Sequence, residues 1–193
     1  MVEPSLGALV AVSVGVGFLA YFFLGSFLTG AGYEPTGAST AATMLALPDV
    51  GPEDTVLDLG AGTGALVVRA VRDRGARAIA VENEPIRLFV LRWRRRRLPD
   101  PGRLEVRRAN LFATELRGPR VIFAFLWPTS MERLRPKLER ELSPGTWVVS
   151  HAHEVPGWIP TRRQGEVYAY RWPECRERPG GLRADGRGTR TFP

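Results

Sequence analysis

The hydrophobic residues form one long uninterrupted run near the start of the chain and shorter, patterned runs after it. Residues 6–28 contain no charged side chain, and Glu3 is the only charged side chain ahead of them. A run of this length spans the hydrocarbon core of a bilayer. A cleaved signal peptide normally starts with basic residues and has a shorter apolar run, so it is the weaker alternative, as is a buried helix. We therefore predict a transmembrane anchor over residues 1–29 that contacts the lipid bilayer through residues 6–28.

After a linker and a short helix over residues 30–54, strand-like and helix-like patterns alternate along the chain. Strands are predicted at Thr55–Leu59, Arg77–Val81, Leu104–Arg107, Val121–Leu126, Thr146–Ser150 and Val167–Arg171, and helices at Ala38–Leu47, Ala65–Arg74, Glu84–Leu98 and Met131–Leu142. A doubly wound, mostly parallel sheet requires this alternation. The pattern predicts one Rossmann-like α/β domain over residues 55–172, because the chain beyond the anchor is long enough for one such core and not for two. Residues 173–193 are dominated by Pro, Gly and Arg and are predicted to form a basic, disordered tail.

The charge of the chain is strongly positive and comes from arginine. The formal net charge is +7, and Lys137 is the only lysine. Such a charge suits an acidic partner or an anionic leaflet, although a coding bias towards arginine explains the composition equally well. Because the arginines follow the apolar run and none precedes it, the positive-inside rule predicts a single-pass protein whose α/β domain faces the cytoplasm. The single cysteine, Cys175, can form no internal disulfide and gives no sign of an oxidising compartment.

The most informative motif, VLDLGAGTGALV, lies between the first predicted strand and the helix that follows it. Asp58 precedes three glycines at alternate positions, Gly60, Gly62 and Gly64. Glycine tolerates positive φ and lets a ligand approach the backbone closely. The spacing also fits the looser Gly-x-Gly-x-x-Ala pattern of dinucleotide-binding loops, so a nicotinamide cofactor is the alternative. The motif favours S-adenosylmethionine, because a carboxylate beside the loop repels a pyrophosphate but suits a cationic amino group.

Two polar residues end the next two predicted strands. Glu82 ends the second strand, where a carboxylate can accept hydrogen bonds from both ribose hydroxyls of a cofactor. The alternative is an acid that stabilises a helix N-terminus, a role that suits Glu84 better. Asn110 follows the third strand, where its amide can pair with an adenine edge while Leu111 and Phe112 cover the ring. A plain turn residue is the alternative for Asn110.

Further motifs carry a family resemblance. They are YEPT at 33–36, FLWP at 125–128, ERLRPKLERELSPGTWVVSH at 132–151, Gly157-Trp158, and VYAYRW at 167–172. Together with the glycine motif, they resemble the membrane-anchored protein-lysine methyltransferases, a family that includes the mitochondrial enzyme modifying the ATP synthase c-subunit and archaeal broad-specificity lysine methyltransferases. The resemblance covers most of residues 33–172. It implies a class I methyltransferase fold, S-adenosylmethionine as the cofactor and a protein lysine as the acceptor.

The resemblance also implies roles for individual residues. By the resemblance, Tyr33, Pro35 and Thr36 help to close the cofactor pocket, Asp58, Gly60, Gly62, Gly64 and Glu82 bind the cofactor, and Phe125, Trp127 and Pro128 line the site of transfer. The binding roles of Asn110 and Leu111 rest on their position after the third strand. The chain departs from the family pattern where Thr63 replaces an acidic residue, Ala65 an arginine, Asn110 an aspartate and Trp127 an aliphatic residue. These departures concern the choice of acceptor more than cofactor binding.

Methylation of an amine requires a neutral nucleophile, yet the pKa of free lysine is about 10.4. The site must therefore desolvate the amine or provide a path for its proton. Phe125 and Trp127 can flank the lysine stem and hold a methylated ammonium by cation–π attraction of about 0.5 to 2 kcal/mol, although Phe125 can equally be a core residue. His151 and His153 can relay a proton, but a hydrogen-bonded structural role is favoured for His151. The sequence contains no metal-ligand cluster or nucleophile triad.

The arginine-rich run RWRRRR at residues 92–97 has three interpretations: contact with nucleic-acid phosphates, contact with anionic lipid, or a solvated helix end. A nucleic-acid methyltransferase is disfavoured, because FLWP stands where enzymes that methylate base nitrogens often carry an Asn/Asp-Pro-Pro-aromatic motif. A non-catalytic nucleotide-binding scaffold would need a disabled pocket, whereas Asp58, the glycines and Glu82 are intact. We expect replacement of Arg94 and Arg96 to alter membrane or partner affinity and to leave the pocket unchanged.

Overall fold

The computed structural model describes residues 36–176 and, ahead of them, residues 5–7, 9–10, 12–13 and 15–17. In the described part of the chain, no helix is both long enough and apolar enough to cross a bilayer. Most of the predicted anchor at residues 6–28, and Tyr33 with it, lies outside the described residues.

Within residues 36–176, four α-helices flank one seven-stranded sheet. The helices are α1 (Ala38–Ala46), α2 (Ala65–Arg74), α3 (Pro85–Arg95) and α4 (Pro128–Glu141), and the strands are β1 (Thr55–Leu59), β2 (Arg77–Glu82), β3 (Leu104–Arg108), β4 (Val121–Phe123), β5 (Trp147–His151), β6 (Arg162–Gln164) and β7 (Val167–Arg171). The strand order is β3-β2-β1-β4-β5-β7-β6. β7 is antiparallel to its two neighbours, whereas the other strand pairs are parallel. This arrangement confirms the predicted doubly wound, mostly parallel sheet.

The central strand β1 is buried on both faces because helices cover both sides of the sheet. Its side chains alternate in direction: Val56 joins the hydrophobic cluster that contains residues of α1 and α2, whereas Leu57 and Leu59 join the cluster that contains residues of α4. Asp58 lies between these last two residues and is also buried. An alternating strand thus carries a carboxylate into an otherwise apolar layer, next to the glycine loop that follows it.

Two element boundaries differ from the sequence prediction in ways that shape the site. α4 begins at Pro128, ahead of the predicted start at Met131, because proline at the first helical position has its φ already set and needs no N–H partner. β4 ends at Phe123, whereas the prediction extended the strand to Leu126. Residues 124–127 therefore form a connection between the sheet and α4 at the carboxyl end of β4.

The C-terminal part of the domain extends beyond the predicted boundary at residue 172. β6 consists of three exposed polar residues, so no hydrophobic alternation indicated it. Residues 173–176 turn back onto the domain, where Cys175 is buried, its carbonyl accepts the Ile159 N–H at 2.8 Å, and Arg176 forms a β-bridge with Trp158. The prediction of disorder from residue 173 is therefore wrong for residues 173–176, and residues 177–193 lie outside the described residues.

Candidate active site

The carboxyl ends of β1, β2, β3 and β4 border a cavity of about 310 Å³. Ligands of open α/β sheets bind at this edge, and the volume falls in the range of small-molecule sites. Eight of the residues predicted to form the site line the cavity: Thr36, Asp58, Gly60, Gly62, Glu82, Asn110, Leu111 and Phe125. The structure therefore brings together residues that are up to 89 positions apart in the chain, from Thr36 to Phe125.

The carboxyl group of Asp58 is buried, with 7% of the residue's surface exposed, and it forms no hydrogen bond with any residue that the structure describes. Burial raises the pKa of Asp58 to about 7, and the negative charge of Glu82 adds to this effect. A buried carboxylate without a partner is stabilised by a nearby cation. The position next to the glycine loop thus suits a ligand with a positively charged amino group.

Glu82 holds the glycine loop against the end of β2 through hydrogen bonds. Its Oε2 accepts the Gly62 N–H at 2.8 Å, and its Oε1 accepts the N–H groups of Asn83 and Glu84 at 2.8 and 2.9 Å. A carboxylate has about four acceptor positions, so one remains for a ligand hydroxyl. Glu84, by contrast, caps α3 by accepting the N–H groups of Ile86 and Arg87. The helix-terminus role that was the alternative for Glu82 therefore belongs to Glu84, as the sequence favoured.

The three glycines of the loop all have positive φ, at +84° for Gly60, +57° for Gly62 and +83° for Gly64. Gly64 does not line the cavity. A Cβ placed on it would collide with Leu91 Cδ1 of α3, so glycine at this position makes room for the Leu91 side chain. Gly64 thus lies against Leu91, whereas Gly60 and Gly62 border the cavity.

Asn110 caps a turn and also borders the cavity, so its predicted contact with an adenine edge stays a prediction. Its Oδ1 accepts the Phe112 N–H at 2.9 Å, which caps the short 3₁₀ helix at Leu111–Ala113. The amide NH₂ of Asn110 takes no part in this bond, and Asn110 also borders the cavity. Leu111 and Phe112 form the adjacent apolar wall, and the Arg133 guanidinium carbon lies 4.0 Å from the centroid of the Phe112 ring.

Arg87 and Arg133 are cavity residues that the sequence prediction missed. Arg87 is buried on the inward face of α3 together with Leu88 and Leu91. An arginine at an inward position of an amphipathic helix was the available signal for Arg87. Arg133 had no comparable signal, because exposed arginines are frequent in α4 and in the rest of the chain.

The three residues predicted at the site of transfer occupy different positions. Phe125 lines the cavity and lies edge-on to the His151 ring, with 4.7 Å between ring centroids. Trp127 is 52% exposed and lies outside the cavity lining. Its ring centroid is 6.3 Å from that of His153. Pro128 is the first residue of α4 and also lies outside the lining. Phe125 therefore marks the cavity boundary, and Trp127 with His153 forms an aromatic pair beyond it.

One expectation about a neighbouring residue is wrong, and a second concerns a residue that contacts the glycine loop. His151 Nδ1 is buried and has no hydrogen-bond partner among the described residues, so the favoured hydrogen-bonded structural role does not describe it. Arg94 Nη1 donates to the Thr63 carbonyl at 3.3 Å, within the glycine loop, and the expectation that replacement of Arg94 leaves the pocket unchanged stays a prediction.

Comparisons with known proteins agree with this geometry. Residues 58–162 match the sequence profile described as the ANTKMT methyltransferase domain. The chain is 34% identical over 131 residues to a protein-lysine N-methyltransferase of Saccharolobus islandicus, a match that covers 66% of this chain and 80% of that protein. It is 29% identical to the ATP synthase c-subunit lysine N-methyltransferase of Rattus norvegicus, over 63% of this chain and 57% of that enzyme. The chain therefore spans little more than half the length of this mammalian relative.

A solved structure is similar over most of the chain. It is described as an RNA methyltransferase from Salinibacter ruber in complex with S-adenosyl-L-homocysteine, and it matches with a TM-score of 0.71 and 35% sequence identity over 77% of this chain and 99% of that one. S-adenosylhomocysteine is the product that remains when S-adenosylmethionine has given up its methyl group. The similar structure thus holds a ligand of the chemical class that the cavity suits.

Proposed function

Because the chain belongs to the ANTKMT methyltransferase domain family, we propose that it transfers a methyl group to the side-chain amine of a protein lysine. The chain is an S-adenosylmethionine-dependent methyltransferase. The lysine acceptor is supported by the archaeal and mammalian relatives, whose names specify lysine. The observation in the structure that supports it best is the aromatic side chain of Phe125 at the boundary of the cavity.

The residues that line the cavity fit S-adenosylmethionine. The unpartnered carboxylate of Asp58 suits its amino group, and the remaining acceptor position of Glu82 suits a ribose hydroxyl. The Asn110 amide with the apolar wall of Leu111 and Phe112 suits an adenine. When bound, the cofactor supplies an electrophilic methyl group.

The chain's own residues must orient the amine and favour its neutral form. Phe125 offers an apolar surface at the cavity boundary, and contact with it removes water from an approaching ammonium group, which lowers the pKa of that group. Trp127 and His153 lie outside this boundary, where their rings can flank the lysine stem. His151 packs against the edge of Phe125 and so holds the ring in place. Placement of the amine next to the donor then accounts for much of the rate.

RNA is a second candidate acceptor, because the similar Salinibacter ruber structure is described as an RNA methyltransferase. The two acceptors can be compared in one experiment. The chain is incubated with tritiated S-adenosylmethionine and with one of three acceptors: the ATP synthase c-subunit, adenine nucleotide translocase, which a Mus musculus relative with 30% identity is named for, or an unmodified RNA transcript. We expect label in methyllysine after acid hydrolysis of a protein acceptor, and no label after prior acetylation of its lysines. Label confined to nuclease-sensitive material would assign RNA instead.

We also propose that residues 6–28 anchor the protein in a membrane, with the methyltransferase domain on the cytoplasmic side. The proposal is supported by the absence of charged side chains from this run and by the position of the arginines after it. Expression of the full-length chain and of a variant that lacks residues 1–29 tests it. The full-length chain should stay in the membrane pellet after carbonate extraction, whereas the shortened chain should not. Extraction of the two chains to the same extent would exclude the anchor.

A further inference from the structure

One face of α3 combines aromatic and basic side chains and points to solvent. Phe89, Arg92, Trp93, Arg96 and Arg97 are all exposed. Phe89, Arg92 and Trp93 lie on one side of α3 at spacings of i, i+3 and i+4, and Arg96 and Arg97 follow directly at the C-terminal end of the helix. The inward side holds the buried Leu88 and Leu91. We refer to the five exposed residues as the basic aromatic face.

The two aromatic residues of this face are unusually accessible for their size. Phe89 is 73% exposed and Trp93 is 44% exposed. Exposed aromatics close to arginines are typical of helices that lie at a membrane interface, where the rings sit at headgroup level and the cations contact phosphates. The inward leucines already provide the packing of α3 against the sheet, so the fold does not require apolar residues on the outward side.

The positive charge of the face is not neutralised within the described part of the chain. Arg92, Arg96 and Arg97 form no ion pair with a residue that the structure describes. The Arg97 guanidinium carbon instead lies 3.4 Å from the centroid of the Trp93 ring. Three cations without carboxylate partners complement an anionic surface.

The face adjoins the point where the chain enters the domain. A shallow groove of arginines is lined by Arg94 and Arg97 of the α3 end and by Thr36 and Ala38 at the start of α1. Thr36 follows the apolar run at residues 6–28 by only eight positions. The basic aromatic face therefore lies close to the junction between the domain and the segment proposed as its anchor.

We propose that the basic aromatic face binds the anionic headgroup layer of a membrane, with its arginines on lipid phosphates and Phe89 and Trp93 at the interface. Lipid is favoured over nucleic acid because the Arg97 guanidinium covers one face of Trp93, the surface on which a base would stack. The proposal goes beyond methyl transfer, because it concerns a surface separate from the cofactor cavity. It implies that lipid contact orients the domain relative to the bilayer and favours an acceptor lysine close to the headgroups.

Quenching of tryptophan fluorescence by brominated lipid tests this contact. The full-length chain is placed in nanodiscs of brominated phosphatidylcholine with or without phosphatidylglycerol. We expect stronger quenching in the anionic nanodiscs than in the neutral ones. This difference in quenching should decrease as salt is added, and it should be absent in Trp93→Phe. The triple variant Arg92→Gln, Arg96→Gln, Arg97→Gln should lose the dependence on anionic lipid. The matched control Arg117→Gln, Arg140→Gln, Arg163→Gln removes the same charge from other exposed positions and should retain it.

Equal quenching of the wild type in neutral and anionic discs would overturn the proposal. The proposal would also be overturned if the control variant lost the dependence on anionic lipid to the same extent as the triple variant. If the triple variant of α3 loses affinity for RNA in a gel-shift assay while its quenching is unchanged, the face binds nucleic acid and not lipid. Affinity for S-adenosylhomocysteine and methylation of a water-soluble acceptor are measured alongside. Both should be unchanged in the triple variant, so failure of the lipid contact is distinguishable from failure of the proposed methyl transfer.

Discussion

The carboxyl group of Asp58 links the stability of the protein to its function. Its pKa in the folded protein is about 7, against an ordinary value of 3.8. A folded-state pKa above the unfolded value means that the native state binds the proton more tightly. The stabilising effect of the protonated form is complete below the unfolded pKa and is lost as the pH rises through about 7. The free protein therefore carries an unfavourable charge at neutral pH, and this charge is what a cationic ligand would stabilise.

Replacement of Asp58 by asparagine should separate these two effects. Near neutral pH and above, the free energy of unfolding of the unliganded protein should rise by roughly 1 to 4 kcal/mol, because each pKa unit corresponds to about 1.4 kcal/mol. The affinity for S-adenosylhomocysteine should fall by about a hundredfold or more, which corresponds to roughly 3 kcal/mol of lost charge-assisted contact. Denaturant titration and calorimetry measure the two quantities. Undiminished binding by this variant would show that Asp58 is not the cofactor carboxylate.

The same ionisation predicts a pH dependence of cofactor binding. Below the pKa of Asp58, binding of a cationic amino group must displace a proton, so the affinity for S-adenosylhomocysteine should rise by up to about tenfold per pH unit and level off above about pH 7. Calorimetry in buffers of different ionisation enthalpy should detect the released proton. A flat affinity profile between about pH 5.5 and 8 would contradict the assignment.

Phe125 and Trp127 should affect different kinetic constants. Trp127 lies outside the cavity lining, so Trp127→Leu should leave the affinity for S-adenosylhomocysteine unchanged. It should raise KM for the protein acceptor by roughly threefold to thirtyfold, because a cation–π contact with the acceptor is lost. Phe125 lines the cavity, so Phe125→Leu should lower kcat as well. Initial rates at varied acceptor concentration separate the two effects. A loss of cofactor affinity in Trp127→Leu would place that side chain in the cofactor pocket.

At the scale of elements, the place of Leu91 of α3 beside the glycine loop depends on the absence of a side chain at Gly64. Gly64→Ala would place a Cβ in collision with Leu91 Cδ1 at a φ of +83°. We expect a loss of about 2 to 4 kcal/mol in the free energy of unfolding, from overpacking together with left-handed backbone strain. Urea titration measures this loss.

Gly118→Ala is the matched control for backbone strain alone. Gly118 has a φ of +101°, and apart from its chain neighbours no atom of the described residues lies within 4 Å of the position that an alanine Cβ would occupy, so alanine there should cost about 1 to 2 kcal/mol. Leu91→Ala combined with Gly64→Ala should be less destabilising than the sum of the two single changes, because Leu91→Ala removes the clashing methyl group. Additive effects would indicate that Leu91 is not the side chain that Gly64 accommodates.

At the scale of the whole molecule, residues 172–176 complete the hydrophobic core rather than begin a tail. Trp172 packs on Trp158 with 5.1 Å between ring centroids, and burial raises the pKa of the Cys175 thiol to about 11. A chain that ends at Arg171 should lose about 3 to 5 kcal/mol of stability, the usual cost of removing a buried tryptophan side chain. A chain that ends at Arg176 keeps Trp172 and the turn that buries Cys175, and should unfold at a higher temperature than the chain that ends at Arg171.

Thermal unfolding of the two shortened chains measures this difference. The reactivity of Cys175 provides an independent measurement, because a buried thiol with a raised pKa should react with a thiol reagent much more slowly in the native state than after denaturation. Fast reaction in the native protein, or equal unfolding temperatures of the two shortened chains, would contradict a core role for this turn.

The sequence by itself determined the elements that local pattern specifies. The β-branched and apolar run Thr55–Leu59 predicted the first strand, and Asp58 with its glycines predicted a cofactor loop at its end, because local hydrophobicity and glycine chemistry act over a few residues. Glu82 was predicted for the same reason, as the polar residue at the end of a buried strand.

Only the tertiary structure decided how these residues are used. Gly64 is required by Leu91 of another helix, Phe125 and Trp127 lie on opposite sides of a cavity boundary, and Cys175 is buried although its neighbours in the chain are polar. Arg133 reaches the cavity because α4 packs beside the short helix that holds Phe112. These facts depend on contacts between segments distant in the chain, and such contacts leave no periodic pattern within a segment. The chemistry of the site was therefore encoded locally, whereas the division of its residues between ligand contact and packing arises from the fold.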